Sequence, residues 1–323
     1  MRHDGRRDAR ALRTLVLTGG LAALACVLFM TLGARGNWSF VLPFRATKLA
    51  AMLLVAYSIA VSTVLFQTIT NNRILTPSIM GFDALYVLIQ TCLVFALGAG
   101  TVSALDPRTM FVFECAVMVL FSCLLYRWLF SGGLRSLHLL MLVGVIFGVL
   151  FRSVSGFLQR VIDPNEFIVL QDRLFASFNG IDPSLLGISA VLVAAASLFA
   201  LRIFHTFDVM VLGRDTAIGL GIDHRRTTTV ILVIVAVLVS VSTALVGPVT
   251  FFGLLVASLA YQILPTSRHR LILPVAVFIG TATLVGGQLV LERIFAFDTA
   301  LGIIIEFAGG LVFLILVVRG ALR

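Results

Sequence analysis

The chain has 323 residues, of which 60% are hydrophobic and only 12% charged, with a mean hydropathy of +1.10. A water-soluble globule carries about 25% charged residues, so this composition excludes one and points to an integral membrane protein. The net charge of +9 lies in tails and loops flanking apolar runs, which is the signature of membrane topology and offers no support for nucleic-acid binding.

Residues 1–13 carry five arginines ahead of the first apolar run, 14–33. A basic start before an apolar stretch is also the layout of a signal peptide, but this run is too long for a signal core and more spans follow at once. It therefore reads as a first span preceded by a cytoplasmic basic tail. Further runs follow at 47–67, 79–97, 109–130, 137–158, 183–203, 227–247, a short 250–264, 271–291 and 299–319. Runs of about 17–25 apolar residues cross ~30 Å of hydrocarbon as helices. The expectation is an all-α integral membrane protein of ten spans, forming a single transmembrane domain over 1–323. With the N-terminus inside, 16 of the 24 basic residues fall on the inner side and 8 on the outer side or in the outer half, Arg152 among the latter. The longest outer loop, 159–182, holds Asp163, Glu166, Asp172 and Asp182. Both features place both termini in the cytoplasm.

Cys26, Cys92, Cys115 and Cys123 all fall in apolar spans without paired spacing, and read as buried small hydrophobes rather than disulfides or metal ligands. Val61-Ser62-Thr63-Val64-Leu65 in the second span is similar to Val241-Ser242-Thr243-Ala244-Leu245 in the seventh. The two spans run in opposite directions, so a true repeat would be inverted, as in many transporters; small residues that permit close helix packing are the competing explanation. Two stretches carry backbone-breaking chemistry, Asn72 to Gly81 with Pro77, and Gly247-Pro248 to Gly253. Proline lacks an amide donor and glycine relaxes the backbone, so irregular structure is expected at both. They are candidate pathway or gate elements, or ordinary turns between helices.

A phosphate-binding Gly-x-x-x-x-Gly-Lys loop needs a lysine, and the single lysine, Lys48, is not in one. No nucleophile elbow or zinc-protease motif appears, so nothing suggests an enzyme or a metal site. Glu306 in the last span, Glu114 in the fourth and Asp83 at the inner end of the third are carboxylates at membrane depth, where such groups are costly and tend to be functional. A proton-coupled secondary transporter working through Glu306 is the reading they would support.

Between the sixth and seventh spans lies a polar island over 204–226. Asp208 and Asp215 are candidate N-caps for two short helices, with Gly213, Gly219 and Gly221 as their stops. Ala217, Ile218, Leu220 and Ile222 would form an apolar knob flanked by Arg214, Arg225 and Arg226. Such a knob could dock in a partner's groove, or be a solvated loop that obeys the positive-inside bias.

Together these pieces resemble the FecCD-type permease subunits of ABC importers for ferric siderophores, haem and cobalamin, in order over roughly 42–320. Arg45 and Lys48 match the basic pair at the head of the second span. Asn72, Pro77 and Gly81 match an Asn-Pro-rich motif, with Arg73 in place of its first proline. Leu212, Gly213, Ala217, Leu220 and Gly221 match Leu-Gly-x-x-x-Ala-x-x-Leu-Gly, and Gly247-Pro248 through Gly253-Leu254 match Gly-Pro-Ile-x-Phe-Val-Gly-Leu. The usual Pro-His-x-x-Arg continuation is missing from Leu255 to Tyr261, and the Ala-Asp before Arg293 is lost. These departures resemble a branch associated with ferric, often catecholate, siderophores.

The resemblance implies a type II importer permease fold with an inverted repeat, in the cytoplasmic membrane. It implies as partners a second permease, often a different homologous chain, two ATP-binding subunits that hold ATP and Mg, and an extracytoplasmic substrate-binding protein. No cofactor is expected in this chain. Leu212, Gly213, Arg214, Asp215, Ala217, Leu220 and Gly221 would couple to the ATPase; Arg45, Lys48 and Arg293 would dock the binding protein; Asn72, Pro77, Gly81, Gly247, Pro248 and Gly253 would line the pathway or gate. Haem or cobalamin remains the alternative cargo.

Overall fold

The computed structural model describes residues 2–32, 38–131, 137–264, 266–295 and 300–318. Among them lie fourteen α-helices, which are α1 (Arg2–Thr31), α2 (Trp38–Thr70), α3 (Asp83–Leu97), α4 (Ala99–Ala104), α5 (Pro107–Ser131), α6 (Leu137–Gln159), α7 (Pro164–Leu174), α8 (Pro183–Arg202), α9 (Phe204–Met210), α10 (Arg214–Gly219), α11 (His224–Val246), α12 (Phe252–Ile263), α13 (His269–Arg293) and α14 (Leu301–Val318). A single π-turn, Ser78–Phe82, leads into α3.

Eight of these helices are long and apolar enough to cross a membrane, and two shorter apolar helices, Phe252–Ile263 and Leu301–Ile315, occupy the remaining expected spans. Sequence boundaries shift at three places. The basic tail is helical and continuous with the first span, since α1 starts at Arg2. The second span begins nine residues earlier than expected, at Trp38. The outer loop 159–182 contains α7, which Asp163 caps by accepting from the Asn165 amide at 2.9 Å, with Pro164 at the first helical position where its missing N–H costs nothing. Of the basic residues that orient the chain, Arg35, Arg135, Arg319 and Arg323 lie outside the described residues, and so do the side chains of Arg2, Arg6 and Arg7.

The core is built on α2 and α11, the most deeply buried spans, which pack on each other and, between them, on α5, α8, α12 and α13. Lipid offers no hydrophobic drive between helices, so close backbone approach does the work. Ala56, Ala60, Ser58 and Ser62 on α2 and Ala236 and Ser240 on α11 have no exposed surface. The two similar segments, 61–65 and 241–245, fall on these central helices. At about 18 Å, the 12-residue α12 is shorter than the hydrocarbon layer is thick, and the non-helical 247–251 stretch before it must be covered by protein. The cover is the outer segment at Phe175–Ser177. The Ser177 amide donates to the Val246 carbonyl at 2.9 Å, and a Cβ at Gly247, whose φ is +95°, would meet the Ala176 backbone at 3.2 Å.

Gly253 sits where α12 touches α2, and a Cβ there would overlap the Thr63 hydroxyl. Gly253→Ala should therefore destabilise the protein by about 1–3 kcal/mol, the usual cost of overpacking. Thr63→Ala removes the offending oxygen and should restore most of the loss. Thermal unfolding of the two single variants and the double variant in detergent measures the coupling, and an additive double variant would refute the contact.

Candidate functional site

Three groups of residues stand out, one on the face that the basic-residue bias predicts to be inner, one at the opposite, expected outer ends of α1, α2 and α13, and one at membrane depth.

On the inner face, α10 begins at Gly213, whose φ of +93° a side chain would resist, and ends on a hydrogen-bond pattern that fixes its last turn. The Gly221 amide donates to Ile218 O at 2.9 Å and the Ile222 amide to Ala217 O at 3.0 Å, with Gly221 at φ +83°. That pair of bonds is a Schellman stop, which needs a left-handed residue where Gly221 stands. Two residues later Asp223 caps α11 through the Arg226 amide at 3.0 Å. Ala217 is buried beneath the turn, while Leu212, Ile218 and Leu220 are 51–61% exposed. Around them Arg214, Asp215, Arg225 and Arg226 are exposed. An apolar tip in a charged collar on a rigid six-residue helix is the result.

The capping expectation needs correction. Asp215 lies in the first turn of α10, with Gly213 as the cap, and Asp208 lies inside α9. Asp208 serves a different helix: its Oδ1 accepts from the His269 amide at 2.8 Å and faces His269 Nδ1 at 2.7 Å, closing the start of α13. His269 Nε2 is 2.7 Å from Thr68 Oγ1 on α2. A buried histidine thus ties the short inner helix α9 to two membrane spans. Sequence reasoning missed it, because nothing in the sequence links Asp208 to a histidine 61 residues away. The Asn72 motif also belongs to this face. Asn72 Oδ1 accepts from the Ile74 amide at 3.0 Å, and the Asn71 amide group lies 3.7 Å from a Cβ placed at Gly213.

At the outer ends, Arg45 donates to the carbonyls of Phe29 and Leu32 at 2.6 and 2.9 Å, and Arg293 also donates to Leu32. Both arginines bond carbonyls at the C-terminal end of α1, where a positive charge is favoured. Lys48 is buried. Its Nζ lies 3.0 Å from Asn179 Oδ1 and 3.7 Å from Glu292, and Gln288 donates to both of those partners at 3.1 Å. The three basic residues thus lie near one another, but Lys48 faces inward.

At membrane depth, Pro77 precedes the π-turn and Gly81 within it has φ +105°. A Cβ at Gly81 would meet Gly144 O and Gly148 Cα on α6 at 3.1 Å, so glycine is needed for both conformation and contact. Asp83 Oδ2 accepts from Thr250 Oγ1 at 2.7 Å, which joins the segment after Gly81 to the loop that begins Gly247-Pro248. The two gate-like stretches are therefore in contact. Phe251, next in that loop, meets a Cβ placed at Gly309 of α14 at 3.2 Å. Glu306, one turn before Gly309, and Arg152 on α6 are both exposed, and both are near enough to Asp83 to act on it electrostatically. Glu114 is separate: it is buried, accepts from Gln90 Nε2 at 2.6 Å, and lines a cavity of about 350 Å3 toward the outer side with Asp172 and Arg173. Among the described residues no group of three His, Cys, Asp or Glu could hold a metal ion.

A profile of the FecCD transport family matches residues 13–319. The petrobactin import system permease protein YclO of Bacillus subtilis (strain 168) is 46% identical over 305 residues, covering 94% of this chain and 96% of its own. The petrobactin import system permease protein FatC of Bacillus anthracis is 37% identical over 318 residues, 98% of this chain and 90% of its own. A solved structure described as an inward-facing conformation of a metal-chelate type ABC transporter superposes with a TM-score of 0.81 at 20% identity, covering 96% of this chain and 99% of that one. At that identity the superposition establishes the fold, that of a type II importer permease, and nothing finer.

Proposed function

The chain belongs to the FecCD transport family, and from that premise we propose that it is the membrane permease subunit of an ATP-driven importer that carries a ferric siderophore across the cytoplasmic membrane. What carries the reading most directly is its similarity along nearly its whole length to two permeases named for petrobactin import.

In this reading the chain performs no chemistry of its own. Its part is to open a protein-lined passage alternately to each side, driven by nucleotide-binding subunits that hold ATP and Mg on the inner face. The rigid apolar tip of Leu212, Ile218 and Leu220, collared by Arg214, Asp215, Arg225 and Arg226, has the shape and chemistry of a surface that seats in such a subunit. Closure of the ATPase would move α9 and α10 together, and the Asp208–His269–Thr68 chain gives that movement a stiff route into α13 and α2. At the outer end, Arg45 and Arg293 form the rim on which an extracytoplasmic binding protein would dock, with Lys48 as the scaffold beneath. A second permease, the same chain or a homologue, would complete the passage, and both termini would lie in the cytoplasm.

Uptake of iron-55 bound to catecholate, hydroxamate and citrate-type chelators, in cells with and without the gene, tests the reading. Gene-dependent uptake of a ferric chelate should stop on ATP depletion and survive proton uncoupling at constant ATP. Loss on uncoupling alone would transfer the function to a proton-coupled carrier using Glu306. Gene-dependent uptake of haem or cobalamin, with no response to any ferric chelate, would move the chain to the family's other cargoes.

A further inference from the structure

Arg152 and Glu306 are opposite charges exposed on two apolar helices, and their depth follows from the hydrogen bonds around them. Gln159 at the end of α6 bonds Thr91 on α3 at 3.0 Å, which brings those two residues level. Arg152 stands seven residues before Gln159, or about 10 Å, and Asp83 eight residues before Thr91, or about 12 Å. Beyond Thr91, α3 continues for six more residues toward the outer face, about 9 Å. Arg152 and Asp83 therefore lie about 20 Å below the outer end of α3, deep within a ~30 Å hydrocarbon layer. Glu306 reaches the same level through Asp83, Thr250, Phe251 and Gly309.

An Arg or an acidic side chain facing lipid at such depth costs about 2.5–3.5 kcal/mol, so neither residue belongs on a lipid-facing surface. No ion pair of Arg152 occurs among the described residues, and Asp83, a carboxylate within its electrostatic reach, is engaged by Thr250. α6 and α14 do not pack extensively on each other. The two charges thus stand exposed on separate helices at the level of the Asp83–Thr250 contact.

We propose that Arg152 is a substrate-contacting residue of the passage, binding the anionic oxygens at the periphery of the ferric chelate in transit. The inference rests on the importer function above. Ferric iron is held by hard, negatively charged oxygen donors in catecholate and carboxylate chelators, and a guanidinium presents a planar fork of donors that fits paired oxygens. The carboxylates of Glu306 and Asp83 at the same level limit the grip, because conduction requires a site that binds weakly enough to release. Arg152 is then the side chain that favours anionic cargo over neutral or cationic cargo.

The test uses the complete importer with its binding protein in proteoliposomes and an iron-55 ferric catecholate as probe. Arg152→Gln should lower the maximal transport rate about 10-fold, with membrane insertion, assembly and binding-protein-stimulated ATP hydrolysis unchanged. Arg152→Lys, which keeps the charge and loses the fork, should fall between. An unaltered transport rate in Arg152→Gln would overturn the proposal. So would recovery of transport by the charge exchange Arg152→Glu with Glu306→Arg, which would make the pair a structural bridge between permeases. Failure of the wild-type importer to move any ferric chelate would instead remove the functional reading beneath it.

Discussion

Cells carrying Leu220→Asp or Gly221→Pro should take up no ferric chelate while inserting as much permease as the wild type. Leu220 is 61% exposed at the tip of α10 and contributes little to the protein's own core, so Asp at this position leaves the fold intact. It acts at the interface instead: seating a carboxylate in an apolar groove without a partner costs more than the about 2–7 kcal/mol of an unbonded neutral polar group. A penalty of only 3 kcal/mol lowers the docking constant more than a hundredfold. Gly221→Pro reaches the same end through the backbone. Its φ of +83° is closed to proline, which is fixed near −65°, and the Gly221 amide that bonds Ile218 O is removed. The Schellman stop then fails and Leu220 is aimed elsewhere. Recovery of the ATP-binding subunit with the purified permease should fall in parallel with uptake. Wild-type uptake by both variants would exclude α10 as the coupling element.

Most of this architecture is legible from hydropathy, because in lipid the cost of an unsatisfied backbone leaves helices as the only way for an apolar run to cross. All ten apolar segments are helices, and only the starts of α1 and α2 lie far from where the runs predict them, at Arg2 and Trp38. The glycine positions were legible for a related reason: Gly81, Gly213, Gly221 and Gly247 have φ between +83° and +105°, a conformation that leaves its mark in the residue choice. Side-chain partnerships across helices leave no such mark. Asp208 looked like a cap for its own helix because acidic residues cap helices locally, yet it caps α13, 61 residues away. Lys48 looked like a docking residue at the head of a span because the apolar run starts beside it. The helix in fact starts at Trp38, ten residues before Lys48, which carries Lys48 inside the protein. Arg152 counted only as one more basic residue in the outer half, and its isolation on an exposed face became visible once its neighbours were placed.

Lys48→Met should destabilise the permease itself, by about 3 kcal/mol, rather than weaken binding-protein docking alone. The substitution leaves Glu292 poorly compensated, with Gln288 as a remaining partner at 3.1 Å, and breaking a buried pair from one side typically costs 3–5 kcal/mol. It also frees Asn179, which Lys48 and Gln288 hold against α2 and α13. Asn179 is only three residues from Ala176, where the outer segment covers Gly247 and a Cβ on Gly302 would meet it at 3.0 Å. Losing this anchor should therefore loosen the cover over the non-helical stretch as well as the ion pair, and the midpoint of thermal unfolding in detergent should fall on the order of 10 °C. Replacing both charges, Lys48→Met with Glu292→Leu, removes the uncompensated carboxylate and should recover most of the stability, since a buried pair exchanged for apolar groups is often neutral. A docking residue would behave in the opposite way: Lys48→Met would melt as the wild type does, binding-protein affinity would drop, and Glu292→Leu would rescue nothing. Melting curves of the two single variants and the double variant separate these outcomes without any transport assay.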